Sequence, residues 1–198
     1  MPGAAGRCVR RGRHAAIGRP IAALAALALW LALLSVPAPA ATPPLTLEPS
    51  RAPAFKIRAV SGETLTLDKL AARGPLVLDF WATWCRPCLA ELPELEALFQ
   101  KYRERGLTVV AVSLDGPRNF AKVRPFASKL GLSFPIAVDE DGRMQQLYQV
   151  RAMPTTVVID SAGMIVAVHE GYRPGDTRGL EAEIEKLLAP PQVAAPKP

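Results

Sequence analysis

The stretch Leu76-Val77-Leu78-Asp79-Phe80-Trp81-Ala82-Thr83-Trp84-Cys85-Arg86-Pro87-Cys88 decides how this chain is read. It opens as a near-continuous apolar run, residues 76–80, as expected of a strand covered on both faces. It closes on two thiols separated by two residues. Beyond it, Leu89, Leu92, Leu95, Leu98, Phe99 and Tyr102 recur at spacings of three and four, which predicts a helix over residues 86–105. Pro93 lies inside that helix and is expected to kink it. The thiols therefore sit where a strand gives way to a helix.

That position favours dithiol chemistry over simpler uses of cysteine. A structural disulfide between Cys85 and Cys88 would close a tiny loop and remove little unfolded-state entropy. A structural zinc site needs four ligands, and outside the pair the chain offers only Cys8, His14 and His169. Burial as two small hydrophobes leaves the flanking Trp84, Arg86 and Pro87 unexplained. At a helix start, the Cys85 thiolate would face unpaired backbone N–H groups and the positive end of the helix dipole, and both favour the anion. Arg86 either adds positive charge or is merely solvated. Cys88, one turn deeper, should be more buried and keep its proton. Cys85 is then the exposed nucleophile, and Cys88 resolves the mixed disulfide by displacing the partner thiol.

Cys88 must lose a proton to do so, and two carboxylates are candidate bases. Asp79 lies in the apolar strand, where burial should raise its pKa. Glu91 lies three residues after Cys88 and hence on the same helix face, although such spacing also suits a surface acid.

The surrounding pattern predicts one α/β domain over residues 54–189. Short strands are expected at residues 55–58 and 64–67, with a helical turn at 68–72. Further strands are expected at 107–114, 134–138, 155–160 and 164–169, the last two joined as a hairpin through Ser161-Ala162-Gly163. A helix with proline at its first position is expected at 125–130, and others at 144–148 and 176–188. Strands alternating with helices, then a hairpin and a helix, give helices packed around a mixed sheet.

The ends of the chain are different. Residues 1–40 carry five arginines and no acid, then fourteen apolar residues from Ile21 to Leu34, then Ala38-Pro39-Ala40. This is the layout of an export signal, and the apolar run is shorter than the roughly 20 residues of a spanning helix. Cleavage is the expected outcome and retention as an anchor the alternative; either places the domain in the periplasm or on the extracytoplasmic face of a membrane. Cys8 precedes the apolar run and is expected to be inert. The net charge of +6 comes mostly from this segment, which leaves 19 basic against 18 acidic residues elsewhere. The basic balance is thus no argument for nucleic acid. Residues 41–53 read as a Pro-rich linker and residues 190–198 as a Pro-rich tail.

Taken together, the run from Asp79 to Cys88 resembles the thioredoxin active site. With Phe134-Pro135-Ile136 and Met153-Pro154-Thr155-Thr156, residues 54–189 resemble the exported TlpA/ResA-like branch of that family. The resemblance implies a thioredoxin fold with a central insertion that includes the helix near Pro125 and the strand near Phe134. It implies that Cys85 is the nucleophile and Cys88 the resolving thiol of a redox-active disulfide, with no other cofactor and no metal. It also implies that Pro154 is cis and that Met153, Pro154 and Trp84 meet substrate. Asp79 matches the buried aspartate of thioredoxins, where many exported relatives carry Asn. Glu91 matches an acid of ResA-like members, so the base is either one. Implied partners are proteins with disulfides and a membrane thiol reductase of the DsbD/CcdA kind, the protein itself being a monomer. Expected substrates are apocytochrome c, copper-site cysteines or envelope thiols in general. The Met153-Pro154-Thr155-Thr156 sequence departs from the Ala-Pro-Glu-Thr-like pattern of the cytochrome-maturation branch, so no haem-specific role is singled out.

Other functions fit less well. A disulfide donor remains an alternative, because the relative stability of the two redox forms sets the direction. A Cu(I) carrier could use two thiols and His169, but copper-chaperone relatives space their cysteines more widely. A peroxidase of the peroxiredoxin kind needs Thr or Ser three residues before its cysteine, where Ala82 stands, with Thr83 one position late.

Overall fold

A computed structural model describes residues 50–189. The predicted signal or anchor, Cys8, most of the linker and the tail lie outside that range. The sheet has six strands: β1 (Ser50–Arg51), β4 (Leu76–Trp81), β5 (Thr108–Ser113), β6 (Ile136–Val138), β7 (Thr155–Ile159) and β8 (Met164–Glu170), in the order β1-β8-β7-β4-β5-β6. A separate antiparallel ribbon joins β2 (Lys56–Arg58) to β3 (Thr64–Thr66). β4 is central, parallel to β5 and antiparallel to β7. Every residue of β4, β5 and β7 is buried. That is why those segments read as unbroken apolar runs rather than as alternating ones.

Alternation along β4 assigns its side chains to two cores. Val77 and Trp81 face α2 (Arg86–Tyr102) and α5 (Thr177–Leu188), packing with Leu92, Leu95, Leu180 and Ile184. Leu76, Leu78 and Phe80 face the opposite way, toward α1 (Leu67–Ala71) and α4 (Arg143–Leu147). Asp79 falls between Val77 and Trp81 and so occupies a core slot on the α2 side. The β7–β8 hairpin turns where Asp160 accepts hydrogen bonds from the Ala162 and Met164 N–H groups (2.9 and 2.8 Å). Gly163 supplies a φ of 78° there, open to glycine at little cost.

Two expectations need correction. The helix predicted at residues 125–130 is α3 (Phe120–Lys129), and Pro125 lies inside it rather than at its first position. The missing Pro125 donor leaves the Ala121 carbonyl without an intrahelical partner. Both residues are exposed, so water can serve that carbonyl. The domain also begins earlier than residue 54. Ser50 and Arg51 pair with Ile165 and Met164, and the Ala52 N–H donates to the Gly163 carbonyl (2.8 Å). Ala52 is buried, and the Pro53 carbonyl accepts from the Tyr148 hydroxyl (3.0 Å). An edge strand tolerates flanking prolines because one side of its backbone needs no partner, so proline content alone misplaced the boundary. Pro93 sits within α2 without ending it, again on the exposed side.

Candidate active site

β4 ends at Trp81, and the chain turns through residues 82–84 into α2. Cys85 is the N-cap residue of α2, with extended backbone (φ −87°, ψ 100°), and its sulfur accepts from the Cys88 N–H at 3.3 Å. Cys85 and Cys88 are joined in a disulfide with Cα atoms 5.3 Å apart. A sulfur at an N-cap takes the place of the Ser or Asp oxygen that usually serves there. A thiolate formed on reduction would face the same donor and the helix dipole. Arg86 and Pro87 fill the first two helical positions, where proline costs no hydrogen bond. The sequence predicted an exposed nucleophile; Cys85 is in fact only 6% exposed, against 0% for Cys88. The order of access is as expected, but both sulfurs are buried: the two cysteines belong to the core under α2, and Met153 packs against it.

A residue the sequence reading missed holds this turn in place. Asp115, buried just after β5, accepts from the Thr83 N–H (2.9 Å), the Thr83 hydroxyl (2.7 Å) and the Ser113 hydroxyl (2.8 Å). The available signal was an acid directly after a buried apolar run, whereas Asp79 stands inside one. Thr83 is thereby held by Asp115 through both its N–H and its hydroxyl.

The two candidate bases meet at Thr156, on the α2 side of the sheet. Asp79 is opposite Thr156 in the β4–β7 register, and Glu91 comes down from α2. The Thr156 hydroxyl lies 3.0 Å from Glu91 Oε1 and 3.5 Å from Asp79 Oδ1. Both acids are buried, and Asp79 Oδ2 and Glu91 Oε2 have no partner among the described residues. Burial drives the Asp79 pKa well up, and the neighbouring Glu91 charge raises it further. Burial also raises Glu91, to about 7, against the opposing pull of the Thr156 hydroxyl. A base titrating near neutrality is suited to proton exchange at working pH. The surface-acid reading of Glu91 is therefore wrong; the helix face it shares with Cys88 is the buried one.

Met153–Pro154 is a cis peptide. The Thr155 hydroxyl donates to the Ala152 carbonyl (2.8 Å), and the Gly171 N–H donates to the Pro154 carbonyl (2.8 Å), fixing this loop at the start of β7. Trp84, 61% exposed, and Met153 line one cleft of about 240 Å3 with Arg151 and Gln145. Arg86 is exposed and joins no ion pair among the described residues. His169 does not group with the cysteines; its Nε2 lies 2.9 Å from Glu183 of α5. A larger cavity of about 760 Å3, between β2 and α4, contains none of these residues.

The fold and the redox pair agree with what the chain is similar to. Residues 50–168 match the AhpC/TSA family. The chain belongs to that family. It is 36% identical over 136 residues to the thiol-disulfide oxidoreductase ResA of Halalkalibacterium halodurans, a match spanning 69% of this chain and 74% of the relative. It is 38% identical over 125 residues to the thioredoxin-like protein YneN of Bacillus subtilis, spanning 63% and 72%. A solved structure described as thiol:disulfide interchange protein DsbE, from Chlorobium tepidum, superposes with TM-score 0.67 at 33% identity, covering 72% of this chain and 98% of that one. StoA of Bacillus subtilis, at 23% identity and TM-score 0.56, shares the fold. This AhpC/TSA member is a thiol-disulfide oxidoreductase of the ResA/DsbE type with a thioredoxin-like fold.

Proposed function

We propose that this oxidoreductase reduces protein disulfides outside the cytoplasm, with Cys85 as nucleophile, Cys88 as resolving thiol and the Asp79–Glu91 pair as the base for Cys88. The observation that carries this reading is a disulfide capping α2 together with two buried carboxyl groups that converge on Thr156, one of them on α2 a turn after Cys88, each with one oxygen unpaired among the described residues. Reduction of a target proceeds by attack of the Cys85 thiolate on the target disulfide. Cys88 then attacks Cys85, the mixed disulfide breaks, and the second target thiol leaves with the electron pair. Trp84, Met153 and Pro154 receive the target beside the disulfide. Arg86 stands free to meet negative charge on it, and Pro87 shapes the first turn of α2.

The exported location rests on the basic, apolar and small-residue order of residues 1–40. An exported dithiol needs electrons from across the membrane, and a DsbD/CcdA-like thiol reductase is the partner of matching chemistry. Cytochrome c cysteines, copper-site cysteines and general envelope thiols are the candidate targets, met by a monomer. Single substitutions test the division of labour. With insulin as target, Cys88→Ser should accumulate a mixed disulfide through Cys85, and Cys85→Ser should form none. A mixed disulfide through Cys88 in Cys85→Ser would reverse the two roles.

A further inference from the structure

We propose that Thr156 and His169 form a proton route joining the buried Asp79–Glu91 pair to solvent at the edge of the sheet, through a cleft that touches neither cysteine. The route deepens, and rests on, the reading of that pair as the base for Cys88.

Register places its members in a row. Asp79 of β4 is opposite Thr156 of β7, and Thr156 is opposite His169 of β8. Residues directly opposite one another point to the same face of a sheet. The row therefore runs on the α2 side from the central strand outward, with Glu91 above it. The Thr156 hydroxyl contacts both carboxyl groups, yet it has one hydrogen to donate. It can satisfy two carboxyl oxygens only by donating to one and accepting from the other. One proton held by the pair would let the hydroxyl serve both oxygens, at 3.0 Å from Glu91 and 3.5 Å from Asp79, with Thr156 as the bridge across which that proton is shared.

A cleft of about 380 Å3, lined by Glu91, Thr156, His169 and Asp176, leads from this bridge to the surface. Its volume exceeds that of several waters at ~30 Å3 each. His169 stands at its outer wall, 38% exposed and hydrogen-bonded to Glu183. The charges facing Glu91 are His169 of β8, which favours its ionised form, and Glu94 of α2 and Asp176 before α5, which oppose it. Glu170 of β8 also lines the cleft, and Asp79 faces Glu91 from β4.

A pair holding one proton can serve both directions of exchange. When Cys88 attacks Cys85, the bond from Cys85 to the partner sulfur breaks and the Cys85–Cys88 bond forms. The partner sulfur leaves with the electron pair, and the Cys88 proton passes to the ionised carboxylate. The pair returns to one proton by releasing the other along Thr156 and the cleft to His169. In the reverse step the pair gives its proton to the departing Cys88 thiolate.

The test uses the reduced protein and dithionitrobenzoate in stopped flow between pH 6 and 9. Attack by Cys85 releases a first thionitrobenzoate, and attack by Cys88 on the resulting mixed disulfide releases a second. Thr156→Val and His169→Ala should each slow the second release about tenfold at pH 7, a part of the usual effect of general acid–base catalysis. The first release should keep its rate. Thr156→Ser should restore the second step, and imidazole should restore it in His169→Ala, neither of which a merely structural role predicts. The double variant Asp79→Asn/Glu91→Gln separates the two readings. If it slows the second release while Thr156→Val and His169→Ala retain the parent rate and pH profile, the route is wrong and the base assignment stands. If the double variant also retains the parent rate, the base assignment fails and the route with it.

Discussion

Glu91 shows how much one buried carboxyl can tell about a site. Its pKa is raised from 4.5 to about 7, first by burial. A raised acid favours its protonated form in the fold. Below pH 4.5 the carboxyl is protonated folded or unfolded. As pH rises toward 7 the unfolded chain ionises first, so the fold loses stability over that window and no further above it. Asp79, raised in the same direction by burial and by Glu91, adds to the loss. Glu91→Gln should therefore be more stable than the parent at pH 8, by on the order of 2 kcal/mol, and nearly equal to it at pH 4.5. Urea unfolding at the two pH values checks this. An equal difference at both would mean that Glu91 is not held protonated by burial.

Asp79 was legible in the sequence as an acid between apolar neighbours. Glu91 was only half legible, because helical spacing gives the face it shares with Cys88 but not whether that face is buried. Thr156 was not legible as a contact of either acid, since the β4–β7 register is a long-range pairing.

The junction of β4 with α2 depends on the end of β5. Asp115 accepts three hydrogen bonds there, two of them from Thr83 in the turn before Cys85. Asp115→Ala leaves those donors without a partner, at a cost of about 2–3 kcal/mol in stability. The turn should loosen, so the first thionitrobenzoate release, which reads Cys85 itself, should change in rate. Chemical unfolding and the stopped-flow first phase measure both effects, and a variant matching the parent in both would remove Asp115 from the account. β4, β5 and α2 were legible because long apolar runs and three-four spacing are local signals. The start of α3 was not, because the rule placing proline at a first helical turn outweighed a weak pattern in residues 120–124. β1 was hidden because its two residues gain their strand character only by pairing with β8.

Across the molecule the charge is nearly balanced outside residues 1–40, so a general electrostatic field offers a target little attraction. The fold class and the dithiol were legible in full, since a strand, two thiols and a helix are contiguous. The polar row from Asp79 through Thr156 to His169 was not, because it joins three strands that meet only when the sheet forms. The direction of exchange is a property of both redox forms together. The measurement to make is the reduction potential of the Cys85–Cys88 pair in the purified protein, by equilibration against dithiothreitol and glutathione buffers. A disulfide reductase requires a pair more reducing than the glutathione couple, one that stays oxidised in glutathione buffer and is reduced by dithiothreitol. A pair more oxidising than glutathione would contradict the reductase reading and make this protein a disulfide donor.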